Sequence, residues 1–322
     1  MAGGCGAGRT SGGHEGRGGR GDHQSPDRRS PSSQIHLGVR IGPVTPSPAA
    51  AAVRYQVIGP VATLTFNRHE QRNRLTPAAM ALTRAHLETA TRDEAVRVIV
   101  LTGAGSTFCS GADLVAAVTA DAADGGPGAG GANFTGTGPA ELVSLLKALL
   151  DCPKPTIARV QGHVAAGGTG IVAACDIAIA SADAKFAFAE VRLGLAPAVI
   201  SVVCLAVMQR RDAQELLLTG DRVDAARVLR AGLITSVVAA ESETPGALDA
   251  EVERYAAMFA KCGPLALAHT KELLRRVPTM SRDGAFDWTS ELSAGIFASA
   301  EGIEGMTAYL TKRQPTWDQT TS

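Results

Sequence analysis

Short apolar runs with alternating or β-branched positions dominate the first part of the chain, and helical spacing dominates the last. Residues 54–59 and 61–66 alternate around Gly59-Pro60, which predicts a hairpin. Residues 67–75 are polar and predict a loop. Thr76-Pro77 predicts a helix start, with a side-chain cap and a proline in the first turn, running to about Arg92. Residues 96–102 and 156–160 read as buried strands, and residues 177–180 and 185–188 as shorter ones. Helices are predicted from about residue 113 to 118 and over 139–151, the second ended by Cys152-Pro-Lys-Pro155. Gly167-Gly168 leads into a helical run of small residues at 171–175. From there on the spacing is amphipathic and helical at 195–208, 212–218, 224–231, 248–262, 264–277 and 282–300. Strands first and helices later predict an α/β core over 53–197 and a helical C-terminal region over 198–322.

Two segments break the pattern. Residues 1–52 are Gly, Arg, Ser, Pro and Ala with almost no large apolar side chain, six Arg standing against three acids. Such a tail cannot bury enough surface to offset its ordering entropy, so it is expected to be disordered and dispensable. It lacks the apolar centre of a signal peptide. Residues 119–138 are mostly Gly, Ala and Asp, and a loop of that length in a compact domain is expected to be functional, here by shaping a pocket. The 322 residues carry no net charge, so there is no nucleic-acid footprint, and no apolar run is long enough for a membrane helix. The six cysteines form no CxxC pair, which points to buried thiols in a reducing compartment, the cytoplasm, and to no metal site.

The candidate chemistry lies in three stretches. Residues 158–176, ARVQGHVAAGGTGIVAACD, read as strand, glycine turn and helix start, an arrangement that leaves backbone N–H groups free for an anionic oxygen. Residues 96–115 repeat that logic, with Ser110-Gly-Ala-Asp113 after the strand and Gly103–Gly105 as its turn. Residues 185–197, KFAFAEVRLGLAP, carry one carboxylate, Glu190, in a mostly apolar run. Two donors from separate loops and a desolvated carboxylate suit proton transfer beside a carbonyl. Cys109 lies beside these loops with no histidine near it in sequence and reads as an inert thiol.

In this order the three stretches resemble the crotonase (enoyl-CoA hydratase/isomerase) superfamily, from about Tyr55 to Trp317, supported by Leu218-Thr-Gly-Asp-Arg222, Ala231-Gly-Leu-Ile234 and Glu304-Gly-Met-Thr-Ala308. The wording of residues 154–162, 168–176 and 190–201 is similar to the bacterial methylglutaconyl-CoA hydratase branch. The resemblance implies an α/β fold: a spiral of ββα units with C-terminal helices that trimerise, giving a homotrimer or hexamer. It implies an acyl-CoA thioester as substrate, with no further cofactor because coenzyme A is part of the substrate. It assigns the oxyanion donors to the backbone N–H groups of Ala112 and Gly167, and the acid–base role to Glu190. Arg74, Ser110, Asp113, Leu114 and Lys312 become candidate substrate-binding residues, with Arg72 as a further cation. The departure is Gly170, where hydratases of the family place a second Glu on the first helical turn. A Glu restored there is expected to reach the reacting water, at some cost in packing. A replacement group is available at Glu141, or at Asp121 or Asp124; His163 reads as a packing residue. The implied activities are hydration of a short or branched 2-enoyl-CoA, or Δ3,Δ2-enoyl-CoA isomerisation by Glu190 alone, or acyl-CoA binding without chemistry.

Overall fold

A computed structural model of the protein describes residues 51–113 and 138–318. The tail before residue 51, the helix expected from residue 113 and the glycine-rich loop to residue 137 fall outside the described residues. The predicted hairpin is β1 (Val53–Ile58) and β2 (Val61–Phe66), paired antiparallel across a turn in which Gly59 takes φ 55°. α1 (Pro77–Arg92) starts where Thr76 and Pro77 place it, the Thr76 hydroxyl accepting from the Ala79 N–H at 3.2 Å. Then come β3 (Val98–Gly103), β4 (Thr107–Cys109), α2 (Gly138–Asp151), β5 (Thr156–Val160), β6 (His163–Ala165) and α3 (Gly167–Ala174). β7 (Ile177–Ser181) and β8 (Lys185–Ala187) lead into a 3-10 turn, Ala189–Leu193. The chain continues through α4 (Ala198–Val207), α5 (Arg210–Thr219), β9 (Arg222–Asp224), α6 (Ala225–Arg230) and β10 (Ser236–Val238). It closes with α7 (Ala247–Ala260), α8 (Pro264–Arg276), α9 (Arg282–Ala298) and α10 (Ala300–Leu310).

The strands form two sheets, β1-β2-β3-β5-β7-β10 and β4-β6-β8-β9. From β2 to β10 the larger sheet is parallel. Each passage crosses from a strand of the larger sheet to one of the smaller, β3 to β4, β5 to β6 and β7 to β8. α3 follows β6 and the 3-10 turn follows β8. This repetition is the ββα spiral that the resemblance implies. The turns stack backbone on backbone: a Cβ at Gly162, between β5 and β6, would lie 1.9 Å from the Ser106 carbonyl oxygen between β3 and β4. Only glycine permits that approach. β3 explains its unbroken apolar run. Ile99 and Leu101 enter the main core, while Val98 and Val100 pack on the other face with Leu248, Val252 and Ala256 of α7. A parallel sheet covered on both faces has no solvent side to encode as polar alternation.

Four strands were not expected from the sequence: β4, β6, β9 and β10. Each is three residues long, too short for a period to register. β9 and β10 also correct the expected boundary at residue 197, because they complete the smaller and the larger sheet. The sheets therefore run to Val238, and the purely helical part begins at α7. The helix expected from residue 195 begins at Ala198, after Pro197 in the N-cap position. The helix expected over 282–300 is α9, which ends two residues earlier, and a further helix that the spacing did not mark, α10, follows it. Ser299, at φ −71° and ψ 153°, leaves the helical region, and its hydroxyl accepts from the Gly302 N–H at 3.0 Å to start α10. Among the described residues no helix is long and apolar enough to cross a membrane.

Candidate active site

The first half of the site is the edge after β4. Leu75 and Ala112 form an isolated parallel bridge: the Leu75 N–H donates to Gly111 O at 2.8 Å, and the Asp113 N–H to Leu75 O at 3.3 Å. In a parallel bridge both bonds belong to one residue, here Leu75. The opposing residue, Ala112, therefore points its own N–H away from the pair. Ala112 is exposed, and among the described residues its N–H has no partner. Gly111 holds φ 88°, and a Cβ on it would lie 2.8 Å from the Ala166 Cβ. The Ala112 segment is thus pressed against the loop that carries the second half.

That second half is the N-terminus of α3. Gly167 is its first residue, so its N–H has no carbonyl within the helix to reach. The preceding turn is closed by Thr169 N–H to Ala166 O at 2.8 Å. A Cβ at Gly167 would lie 2.9 Å from Leu75 Cδ1, so the bridge partner of Ala112 packs directly on Gly167. All eight residues of α3 are buried, which is why the run is made of glycine and small side chains. Ala166 takes φ 49° and ψ −122°, a conformation that costs a residue with a Cβ about 1–3 kcal/mol. Ala166→Gly should therefore raise the melting temperature, since strain relief exceeds the roughly 0.4–1 kcal/mol of added unfolded-state entropy. A lower melting temperature would show that the turn is unstrained.

The third element is Glu190, second residue of the 3-10 turn after β8. Gly194, at φ 72°, closes that turn by donating its N–H to the Glu190 carbonyl. The carboxylate oxygen Oε2 is buried and has no hydrogen-bond partner. Burial pushes the Glu190 carboxyl above the usual carboxylate range. Its neighbour Cys204 is pushed up to about 12, first by burial and then by the Glu190 charge. A carboxyl with raised proton affinity and two free donors are the groups that proton transfer next to a carbonyl requires, the donors holding its oxygen.

The sequence profile of the enoyl-CoA hydratase/isomerase family matches residues 58–320. The chain belongs to the enoyl-CoA hydratase/isomerase family. It is similar to the enoyl-CoA hydratase EchA19 of Mycobacterium tuberculosis, 32% identical over 78% of this chain and 91% of that protein. It is also 33% identical to the carnitinyl-CoA dehydratase of Proteus mirabilis, over 70% of this chain and 82% of that protein. Among solved structures, Pseudomonas aeruginosa AtuE superposes with a TM-score of 0.76 at 32% identity, covering 84% of this chain and all of that one (100%).

Against the family pattern, the structure accounts for the departure at Gly170. A Cβ there would lie 2.5 Å from Ile200 Cγ2, and Ile200 of α4 is 2% exposed. The space into which a side chain at 170 would start is filled. The expectation that a Glu restored there reaches the reacting water is corrected accordingly: its first atom meets Ile200.

The other expected residues divide. Arg74 is not a free cation, because its Nη1 lies 2.8 Å from Asp113 Oδ1. The two hold each other and fix the loop before α1 to the edge after β4. The Ser110 N–H donates to Arg72 O at 3.1 Å and serves the same junction. Arg72 is exposed at φ 54°. Leu114, Asp121 and Asp124 lie outside the described residues. Lys312 is exposed at the end of α10. The segment after it is tied to the start of β3, with Arg97 donating to the Trp317 carbonyl at 3.2 Å. The Ala112 and Gly167 segments instead follow the far ends of the strands, so the structure does not bring Lys312 to the site of its own chain. Cys109 is fully buried and burial pushes it to about 12, in agreement with an inert thiol. His163 is held below its ordinary value by burial and then by Arg222, whose Nη2 lies 3.2 Å from its Nδ1, a packing role.

Three residues escaped the sequence reading. Asn73 is buried at φ 53°, and its Nδ2 donates to Ala104 O at 3.0 Å and Thr107 O at 2.6 Å. It pins the loop before α1 to the β3–β4 turn. Ala166 and Ile200 are the others. An Asn between two arginines in a polar loop was the signal available for the first; nothing in the sequence marked the other two.

Proposed function

We propose that the protein is an enoyl-CoA hydratase that adds water to a short or branched 2-enoyl-CoA. The backbone N–H groups of Ala112 and Gly167 hold the thioester oxygen, and Glu190 acts as acid and base. The observation that carries this reading is the packing of two unpartnered N–H groups through Gly111–Ala166 and Leu75–Gly167 in a chain that also buries an unbonded carboxylate oxygen on Glu190. The names of the hydratase and dehydratase relatives support it. One such N–H donor is worth about 2.7–4 kcal/mol to the transition state. Bond making runs through an enolate. Water bonds to the β-carbon and gives up one proton, the electron pair moves onto the thioester oxygen, and the α-carbon then takes a proton from Glu190, whose carboxylate the released proton restores to the acid. Ser110 and the Arg74–Asp113 pair keep the Ala112 edge in place for the thioester.

A second reading has its own observation. Ile200 occupies the place of a second Glu at position 170, and Δ3,Δ2-enoyl-CoA isomerisation needs one carboxylate only. A buried carboxylate oxygen without a partner argues against a binding protein that has lost its chemistry, because such an atom is costly unless it is used. Turnover of crotonyl-CoA, 3-methylglutaconyl-CoA and a 3-enoyl-CoA tests the assignment. Hydration of either 2-enoyl thioester supports the first reading, and turnover of the 3-enoyl thioester alone supports the second. Tight binding with no turnover would overturn both.

Assembly follows from the helices. Val202 and Leu205 of α4, Phe286 and Phe297 of α9, and Tyr309 and Leu310 of α10 are exposed, too much large apolar surface for a lone protomer. We expect a homotrimer or a dimer of trimers in the cytoplasm. Sedimentation at micromolar concentration should show it; a stable monomer would contradict it.

A further inference from the structure

We propose that Glu141 supplies the second acid–base group of hydration, taking a proton from the attacking water while Glu190 delivers one to the α-carbon. This rests on the hydratase reading above. Ile200 leaves no room for a carboxylate at position 170, so a second group must enter from another element. Among the described residues, the carboxylate oxygens buried without a hydrogen-bond partner are Glu190 Oε2 and Glu141 Oε2. Several other acids have plain structural work. Asp176 accepts from Thr156 and Lys271, Glu301 accepts from the first N–H groups of α8, and Glu304 takes the Arg313 fork. Glu141 sits in the first turn of α2, with Oε2 3.5 Å from Arg84 Nη2, an ion pair that does not reach hydrogen-bond geometry.

Its helix packs against the start of α3. The next residue, Leu142, packs on Gly167, its Cδ2 3.5 Å from where a Cβ would stand. On the opposite flank the Glu190 charge is felt by Cys204, whose Sγ lies 3.9 Å from the Thr169 carbonyl in the first turn of α3. The N-terminus of α3 thus has Glu141 on its α2 side and Glu190 on its α4 side. Arg84 anchors one carboxylate as an ion pair, and burial keeps the other ready to hold a proton. In the reaction the water oxygen bonds to the β-carbon and one water proton passes to Glu141. The π pair moves to the thioester oxygen as enolate, and on its return the α-carbon takes the Glu190 proton. The product is the 3-hydroxyacyl thioester. Glu141 then loses its proton to solvent and Glu190 regains one, so the cycle closes without any other reactant.

The test compares two reactions on the full-length chain. Hydration of the preferred 2-enoyl-CoA needs both groups. Exchange of the α-protons of butyryl-CoA in D2O, followed by NMR, needs Glu190 and the oxygen donors only. Glu141→Gln should lower the kcat of hydration by about 10²-fold or more with KM changed little, while exchange falls far less. Glu141→Asp should recover part of the lost kcat, and Glu190→Gln should lose both reactions. The proposal is overturned if Glu141→Gln hydrates at the wild-type rate, if only KM rises, as for a residue that merely lines the acyl pocket, or if both reactions fall together. A wild-type protein with neither reaction would refute the hydratase reading itself, a result distinct from failure at Glu141 alone.

Discussion

Glu190→Gln should reduce turnover by about 10²–10⁴-fold on the best substrate while leaving CoA-thioester affinity near that of the wild type. Glutamine keeps the shape of the side chain and loses the proton. The same substitution should raise the melting temperature at pH values above the folded pKa of Glu190. Burial lifts the Glu190 carboxyl above its unfolded value, so the folded state holds its proton more tightly than the unfolded chain does. The stability this gives is present below the unfolded pKa and is lost as pH rises through the folded one. Above that folded pKa the wild type carries a buried, unbonded carboxylate that the amide does not. The gain from glutamine should therefore be full above the raised pKa, shrink as pH falls from there to the ordinary carboxylate value, and be absent below it. Rates follow the same group. Hydration, which uses protonated Glu190, should decline as pH rises through that pKa, whereas α-proton exchange, which uses the carboxylate, should climb. A Gln variant that turns over at the wild-type rate would make Glu190 structural.

Gly170→Glu should destabilise the protein and fail to raise hydration. The new Cβ would stand 2.5 Å from Ile200 Cγ2 and 3.0 Å from Ile200 Cβ, in a helix with every residue buried. Overpacking of this kind costs about 1–3 kcal/mol, and a carboxylate without a partner adds to that. Pairing it with Ile200→Ala should recover part of the loss, so that the double variant is more stable than the two single effects predict together. Denaturant melts of the four proteins measure that coupling. A single Gly170→Glu variant with wild-type stability and faster hydration would show that the helix leaves room for the missing Glu.

The sequence carried the elements long enough to show a period, and the glycines that mark close approach. The hairpin of β1 and β2, α1 with its Thr76 cap, and the buried runs of β3, β5 and β7 could all be read from it. So could the free N–H of Gly167, because a glycine pair before small helical residues announces a helix start. The three-residue strands could not, since β9 and β10 are held by neighbouring strands rather than by their own pattern. Pairings between distant residues were equally hidden. Arg74 and Asp113 were read as ligands of the substrate, yet they bind each other across 2.8 Å, a contact set by the Leu75–Ala112 bridge. Gly170 was visible as an oddity, but its cause, Ile200 thirty residues on, required the packing of α4 on α3. Lys312 was placed at the site by resemblance, and the fold of the single chain leaves it beyond α10.

The most direct test is a crystal structure of Glu190→Gln with a 2-enoyl-CoA bound. The account predicts the thioester oxygen within about 2.7–3.1 Å of both the Ala112 and Gly167 nitrogens, with the residue at 190 beside the α- and β-carbons. A thioester bound elsewhere, or with its oxygen turned away from either nitrogen, would contradict it.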